Sequence, residues 1–395
     1  MGRVFFIKKT CINDFFIIAW AAALSVVTLS QGANSLNLSF LMYPIVFLPF
    51  VVVPFVRFEL INTWRKKISI ILLFFLIASG FASAGFHGDM AMVYSLFAFS
   101  LLLLSGLYIY PALFDRRQQV LFFNAVFCFS LAYFLFFSFQ HGLVVKTSLH
   151  YANKNTLGIA AASIAILGLG LFFSIFEHGR LRYKILYMFG VAFMIYLTLL
   201  SVSRTAALSV FMVFLLLSAV YFFRANKVRK LKFSIFMTLI ALVSLYAFGD
   251  LVFDTVIEKF QRKEDDVFDN RSTLWQFILA NTGFLGLGMD FFRYDAFIAA
   301  HSTYFSFLGR YGWSLFIPFL LLLLFLIWDI FYKLVFKRGI SFDFILLALF
   351  SGFLLMSIAE IMIYKSIMVY GFIFIGGYAR AKASPGPAIF KLNGE

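Results

Sequence analysis

Charge is scarce in this sequence, and acid is scarcer than base. Only 13% of the 395 residues are Asp, Glu, Lys or Arg, 18 acids against 33 bases. Soluble domains carry about 25% charged residues, so a water-soluble globule is excluded. Cysteine is nearly absent: Cys11 and Cys128 stand too far apart for a disulfide framework or a Cys/His metal site. There is no GxxxxGK[ST] phosphate loop and no HExxH, which argues against an NTP-driven enzyme and a zinc hydrolase. The stretch GFLGLGMD (283–290) has glycines but follows a helix-like run rather than a strand, so it is no dinucleotide fingerprint. The acidic EDDVFD (264–269) is a weak metal motif. The expectation is a chain with no metal and no cofactor.

What fills the space is hydrocarbon. Apolar residues make up 63% of the chain, 58 of them Phe, and the mean hydropathy is +0.95. The apolar runs are about 20 residues long and do not alternate, which predicts helices rather than barrel strands. The fold class expected is therefore all-α, a polytopic membrane protein, with residues 1–395 forming a single integral-membrane domain. Hydropathy predicts about twelve transmembrane helices, at 14–30, 38–56, 68–86, 91–110, 120–139, 157–176, 185–202, 205–223, 233–249, 312–332, 344–362 and 366–380. The N-terminal MGRVFFIKKTCIND has no clear small-residue cleavage site and reads as the lead-in to a retained first helix.

The net charge of +15 invites a nucleic-acid reading, but its distribution argues otherwise. On the predicted topology 23 of the 33 basic residues fall on the side of the termini, including Arg65, Lys66, Lys67, Arg180, Arg182, Lys184, Lys227, Arg229, Lys230 and Lys232. The positive-inside rule then puts both termini in the cytoplasm. The only long connection, 250–304, faces the opposite side and holds nine acids and five bases. Within it, VFDNRSTLWQFILANTGFLGLG reads as an amphipathic helix after an Asx-type start at Asn270, ending in a glycine-rich turn. A loop this long with this many apolar residues points to function.

Residues 185–223 are 39 apolar or small residues with one charge, Arg204. A guanidinium does not shed its proton, and burying it unpaired in hydrocarbon costs several kcal/mol or more. Two helices joined by a tight turn at SVSRT would bring Arg204 to the outer surface instead. Arg271 (NRSTLW) and His301 (AAHSTYFSFLGRYGW) fall on that same predicted face. Arginine binds phosphate oxygens through a bidentate fork, and His takes a proton near neutral pH. Each residue alone also fits a plain role: Arg204 as a snorkelling anchor, Arg271 as a partner for Asp265, Asp266 or Asp269, and His301 as a hydrogen-bonded interfacial side chain. His141, His150, Lys146 and Lys154, in HGLVVKTSLHYANKNT, are weaker candidates for acceptor or headgroup contacts. Glu360 and Lys365 could simply pair with each other.

The ordered set of SRTA at 203–206, R-x-x-x-W at 271–275, the G-x-G turn at 286–288, A-H-S-x-Y at 300–304 and NKNTLG at 153–158 resembles the O-antigen ligase/O-antigen polymerase superfamily. The resemblance implies a metal-independent, C-type membrane glycosyltransferase of the bacterial inner membrane. Its donor would be an undecaprenyl-pyrophosphate-linked glycan, handled at the periplasmic face. It further implies that Arg204 and Arg271 hold the pyrophosphate leaving group while His301 deprotonates the acceptor hydroxyl. Ser203, Tyr304 and Arg293 complete the candidate substrate-binding set. One departure is that many members have His-Asn where this chain has His301-Ser302; Ser can still hydrogen-bond, but the aim of the imidazole is in question. A polymerase would extend another lipid-linked repeat, and a ligase would load lipid A-core. The outer loops lack a large basic cluster for a phosphorylated core, which favours the polymerase. A transporter is the rival from another class, but the charges gather at one face, not at midplane.

Overall fold

In hydrocarbon a backbone N–H or C=O finds no partner outside its own segment, so apolar runs of this length close their hydrogen bonds as helices. A computed structural model describes residues 14–30, 38, 41–49, 64–144, 147–151, 153–176, 179–252, 271–288, 302–336, 342–358 and 360. The fold is all-α. Its helices are α1 (Asp14–Leu29), α2 (Met42–Val46), α3 (Trp64–His87), α4 (Met90–Leu104), α5 (Tyr110–Leu113), α6 (Arg116–His141), α7 (Lys154–Ile175), α8 (Leu181–Leu200), α9 (Arg204–Arg224), α10 (Lys227–Val252), α11 (Arg271–Asn281), α12 (Thr303–Tyr311), α13 (Trp313–Phe336) and α14 (Phe342–Met356). Among the described residues α6, α7, α8, α9 and α13 are long and apolar enough to cross a membrane, and α1, α14 and parts of α3 and α4 are shorter apolar helices. Large apolar side chains such as Phe74, Phe139 and Phe223 stand on the exterior, a surface suited to lipid rather than water. The chain is a multi-pass membrane protein.

The expected span at 366–380 lies outside the described residues, and at 38–56 the described residues 38 and 41–49 carry the short helix Met42–Val46. The span expected at 91–110 is interrupted by a π-helical turn, Ser105–Ile109, ahead of Pro111. Proline lacks an N–H and crowds the preceding turn, so a wider turn there has a local cause.

α7 is the centre of the bundle, packed by α6, α8, α9 and α14. Its sequence explains why: KNTLGIAAASIAILGLGLFFSI is rich in Gly, Ala and Ser, which let helices approach closely. A Cβ at Gly170 would lie 2.9 Å from the Ile345 backbone on α14, and one at Gly168 would lie 2.6 Å from both Phe127 of α6 and Val191 of α8.

These contacts sort the helix ends into two groups. α7 runs antiparallel to α6, α8 and α14 and parallel to α9, so the start of α7, the end of α8, the start of α9 and the end of α14 share one end with Arg204. The opposite end carries Arg116 over Phe342 (5.8 Å), Lys184 over Phe176 (5.8 Å) and Arg224 over Phe344 (5.3 Å). Asp14 pairs with Arg117 at 2.8 Å and Asp329 with Lys333 at 2.9 Å at that end.

Candidate functional site

The SVSRT turn is built as the sequence suggests. α8 stops at Leu200, α9 starts at Arg204, and Ser201, Val202 and Ser203 between them are buried. Val202 adopts φ +58°, left-handed backbone that a β-branched residue rarely accepts. The Ser201 hydroxyl donates to the Thr198 carbonyl (2.7 Å). Ser203 precedes α9 without capping it through its side chain, so the first-turn N–H groups of α9 lack that partner.

The turn is held from below by α7. A Cβ on Gly158 would run into the Ser201 hydroxyl and the Ser203 side chain, so only glycine lets the helix and the turn meet there. One turn earlier, Asn153 begins α7, its side chain accepting from the Asn155 N–H (2.8 Å). NKNTLG and SRTA are thus in contact, 45 residues apart in sequence from Gly158 to Ser203. Two helix N-termini, those of α7 with Lys154 and α9 with Arg204, open at one end of the bundle. Each carries about half a positive charge from its aligned peptides, and a cationic side chain adds to it. Chemically, this end is suited to an anion.

The long loop is anchored to the same end. Arg271 opens α11, whose Leu274 and Ile278 pack on Leu308 and Phe305 of α12 while Trp275 stacks on Phe305 at 4.7 Å. A helix is present where an amphipathic one is expected, but its apolar residues do not keep to one face, Phe277 and Leu279 being exposed; Asn270, its expected start signal, lies outside the described residues. The glycine-rich turn after α11 is clasped into the joint between α12 and α13. The Leu287 N–H donates to Gly309 O (2.6 Å), and the Ser314 N–H to Phe284 O (3.1 Å). Ser83 of α3 donates to Leu285 O at 2.6 Å, and His87 Nε2 lies 3.3 Å from the same oxygen.

α12 is tied at its start. Ser302 is fully buried, caps the Phe305 N–H (3.4 Å) and donates to Ser357 O (3.1 Å). Thr303 donates from its hydroxyl to Glu360 O (2.9 Å) and from its N–H to Ser357 O (2.9 Å). The serine in place of the asparagine that the resemblance implies therefore works as a helix cap, fixing the residue that follows His301. Tyr304 donates to Leu354 O (2.8 Å), and burial pushes its phenol further up, so it stays protonated. His301 and Arg293 lie outside the described residues, as do Lys146 and Lys365.

The structure therefore brings Ser203 and the start of α9 against the start of α7, and ties α12 to the end of α14 at the same end of the bundle. Of the supports, Gly158 closes the NKNTLG motif, whereas Ser83 and His87 belong to none of the sequence motifs. His87 offered a signal, a lone histidine in FHGD where a span ends. No protein-family model matches this chain, and no curated protein matches it.

Proposed function

We propose that the chain is a glycosyltransferase of the bacterial inner membrane, moving a glycan from undecaprenyl pyrophosphate onto an acceptor sugar hydroxyl at the periplasmic face. The reading is of the O-antigen polymerase type, with the ligase that loads lipid A-core as the alternative. The observation that carries it is the meeting of NKNTLG and SRTA, which sets Arg204 beside two helix N-termini at one end of an apolar bundle. In that role Arg204 and Arg271 hold the pyrophosphate, whose charge grows as the glycosidic bond breaks, and fixed cations in a water-poor site stabilise that charge. His301 takes the proton of the attacking hydroxyl, a step commonly contributing about 10²–10⁴-fold. Ser203, Tyr304 and Arg293 border the donor and acceptor. On this reading the basic end of the bundle and both termini face the cytoplasm.

The test is the surface glycan profile of a deletion strain complemented with variants. Arg204→Ala and Arg271→Ala should each abolish or severely reduce transfer while the protein still accumulates in the membrane. Lys should rescue only partly, because a point charge replaces a bidentate fork. His301→Ala should lose transfer yet keep donor binding. Loss of a polymerase leaves lipopolysaccharide with one repeat unit; loss of a ligase leaves bare core and accumulated lipid-linked glycan. Wild-type transfer by Arg204→Ala would return that residue to a snorkelling anchor, and altered anion flux with unchanged glycan would favour a transporter.

A further inference from the structure

The connection from α6 to α7, HGLVVKTSLHYANKN (141–155), contains two histidines that the proposed chemistry does not use. His150 folds back against the end of α6. Its ring lies 3.8 Å from Phe137 and 4.2 Å from Tyr151 between centroids, and its Nε2 is 2.7 Å from the Tyr133 hydroxyl. Tyr133 in turn reaches the Leu29 carbonyl of α1 at 3.5 Å. Only 5% of His150 is exposed, and among the described residues its buried Nδ1 has no hydrogen-bond partner, nor has the neighbouring Tyr151 hydroxyl. His141 stacks on Phe137 as well, 6.0 Å away.

This surrounding suits a neutral imidazole and opposes a charged one. A second proton would create a cation with one N–H facing no acceptor. Desolvating such a charge is costly, and a cation over the Phe137 face recovers only part of that cost. Among the described residues, the titratable groups that face His150 are Tyr133 and His141 from α6 and Tyr151 from its own loop, while α1 offers a carbonyl. No carboxylate is among these, and His141 repels.

We propose that the Tyr133–His150 contact is an acid-released latch, holding the α6–α7 connection against α6 while His150 is neutral and freeing it when His150 takes a second proton. Burial first, and His141 second, hold the imidazole down at about 4 against its ordinary 6.5. The sign follows: the open loop binds the proton more readily than the closed one. Closure is therefore at full strength above about pH 6.5 and weakens as pH falls toward 4. Release matters for the neighbouring turn, because Asn153, three residues on, caps α7, and Gly158 supports Ser201 and Ser203. The latch stands whether or not the chain transfers glycans.

Hydrogen exchange of the full-length protein in phosphatidylcholine nanodiscs tests it, with rates corrected for intrinsic pH dependence. Amides of 147–151 should lose protection by about tenfold per pH unit between 6.5 and 4, the slope of one titrating group, while those of α7 past Gly158 and of α13 stay protected. His150→Phe, which keeps a stacking ring and cannot take a proton, should abolish the pH dependence. Tyr133→Phe should lower loop protection at neutral pH. Wild-type pH dependence in His150→Phe, or a loop equally protected at pH 4.5 and 7.5 in the native protein, would overturn the proposal.

Discussion

Val202 sits in left-handed backbone at the turn that presents Arg204, with a φ of +58° and only 7% of its surface exposed. For an L residue that conformation costs roughly 1–2 kcal/mol, so the turn is held there by its surroundings: Gly158 beneath it and Ser201 bonded to the end of α8. The opposing terms predict an inverted order of variants. Val202→Ala loses buried methyl groups and keeps the backbone cost. Val202→Gly loses one carbon more but removes that cost, so it should be the less destabilising of the two. At a helical position the order would be reversed, glycine being worse by about 1 kcal/mol. Thermal unfolding of the detergent-solubilised variants decides it, and a Val202→Gly protein melting clearly below Val202→Ala would mean that the turn is relaxed. Gly158→Ala works on the same turn from the other side. Its methyl group meets Ser201 and Ser203, so it should displace Arg204 and lower transfer with the protein still accumulating; unimpaired transfer would remove Gly158 from the support of the site.

At the scale of elements, the clasp between the turn after α11 and the α12–α13 joint fixes residues 283–288, while Ser302 and Thr303 tie the start of α12 to the end of α14. The clasp depends on Gly312, whose φ of +78° and ψ of −177° belong to a region nearly restricted to glycine, and whose Cβ would collide with the Gly286 N–H and the Phe284 carbonyl. Gly312→Ala should therefore cost about 2–3 kcal/mol or more and open 283–288 to proteolysis. Gly85→Ala, where a Cβ would meet nothing within 4 Å, should be neutral or slightly stabilising in α3; equal protease resistance of the two variants would show that the clasp is not needed. The α8–α9 hairpin was legible in the sequence because a polar break in an apolar run is a local signal. The presence of α11 was legible, but not which of its apolar residues dock, since Ile278 is buried while Phe277 and Leu279 stay exposed. The end of α14 was not: hydropathy carries the span to 362, yet the helix stops at Met356, where the carbonyls of Leu354, Ser357 and Glu360 serve α12. Competition from a segment some 50 residues away leaves no trace in a hydropathy window. The same reason hid Ser83 and His87, whose partner, Leu285, lies about 200 residues on.

For the whole molecule, the decisive quantity is which end faces which compartment. The bundle has one end with Arg204, two helix N-termini and the anchored loop, and another where Arg116, Lys184 and Arg224 lie over Phe342, Phe176 and Phe344 and Lys333 pairs with Asp329. Translocating a short connection rich in Lys and Arg is disfavoured, and acids contribute little to that bias. Of the 33 basic residues, 23 fall on the side of this second end once the undescribed segments are added by topology. The hypothesis is that the basic end is cytoplasmic and that 250–304 lies outside. In a background with Cys11 and Cys128 replaced, a thiol introduced at Asp266 should react with a membrane-impermeant maleimide added to intact spheroplasts. One at Lys230, near the start of α10, should react only after permeabilisation. The reverse pattern would put Arg204 on the cytoplasmic side, where a donor displayed at the periplasmic face could not reach it, and the glycosyltransferase reading would fall with the topology.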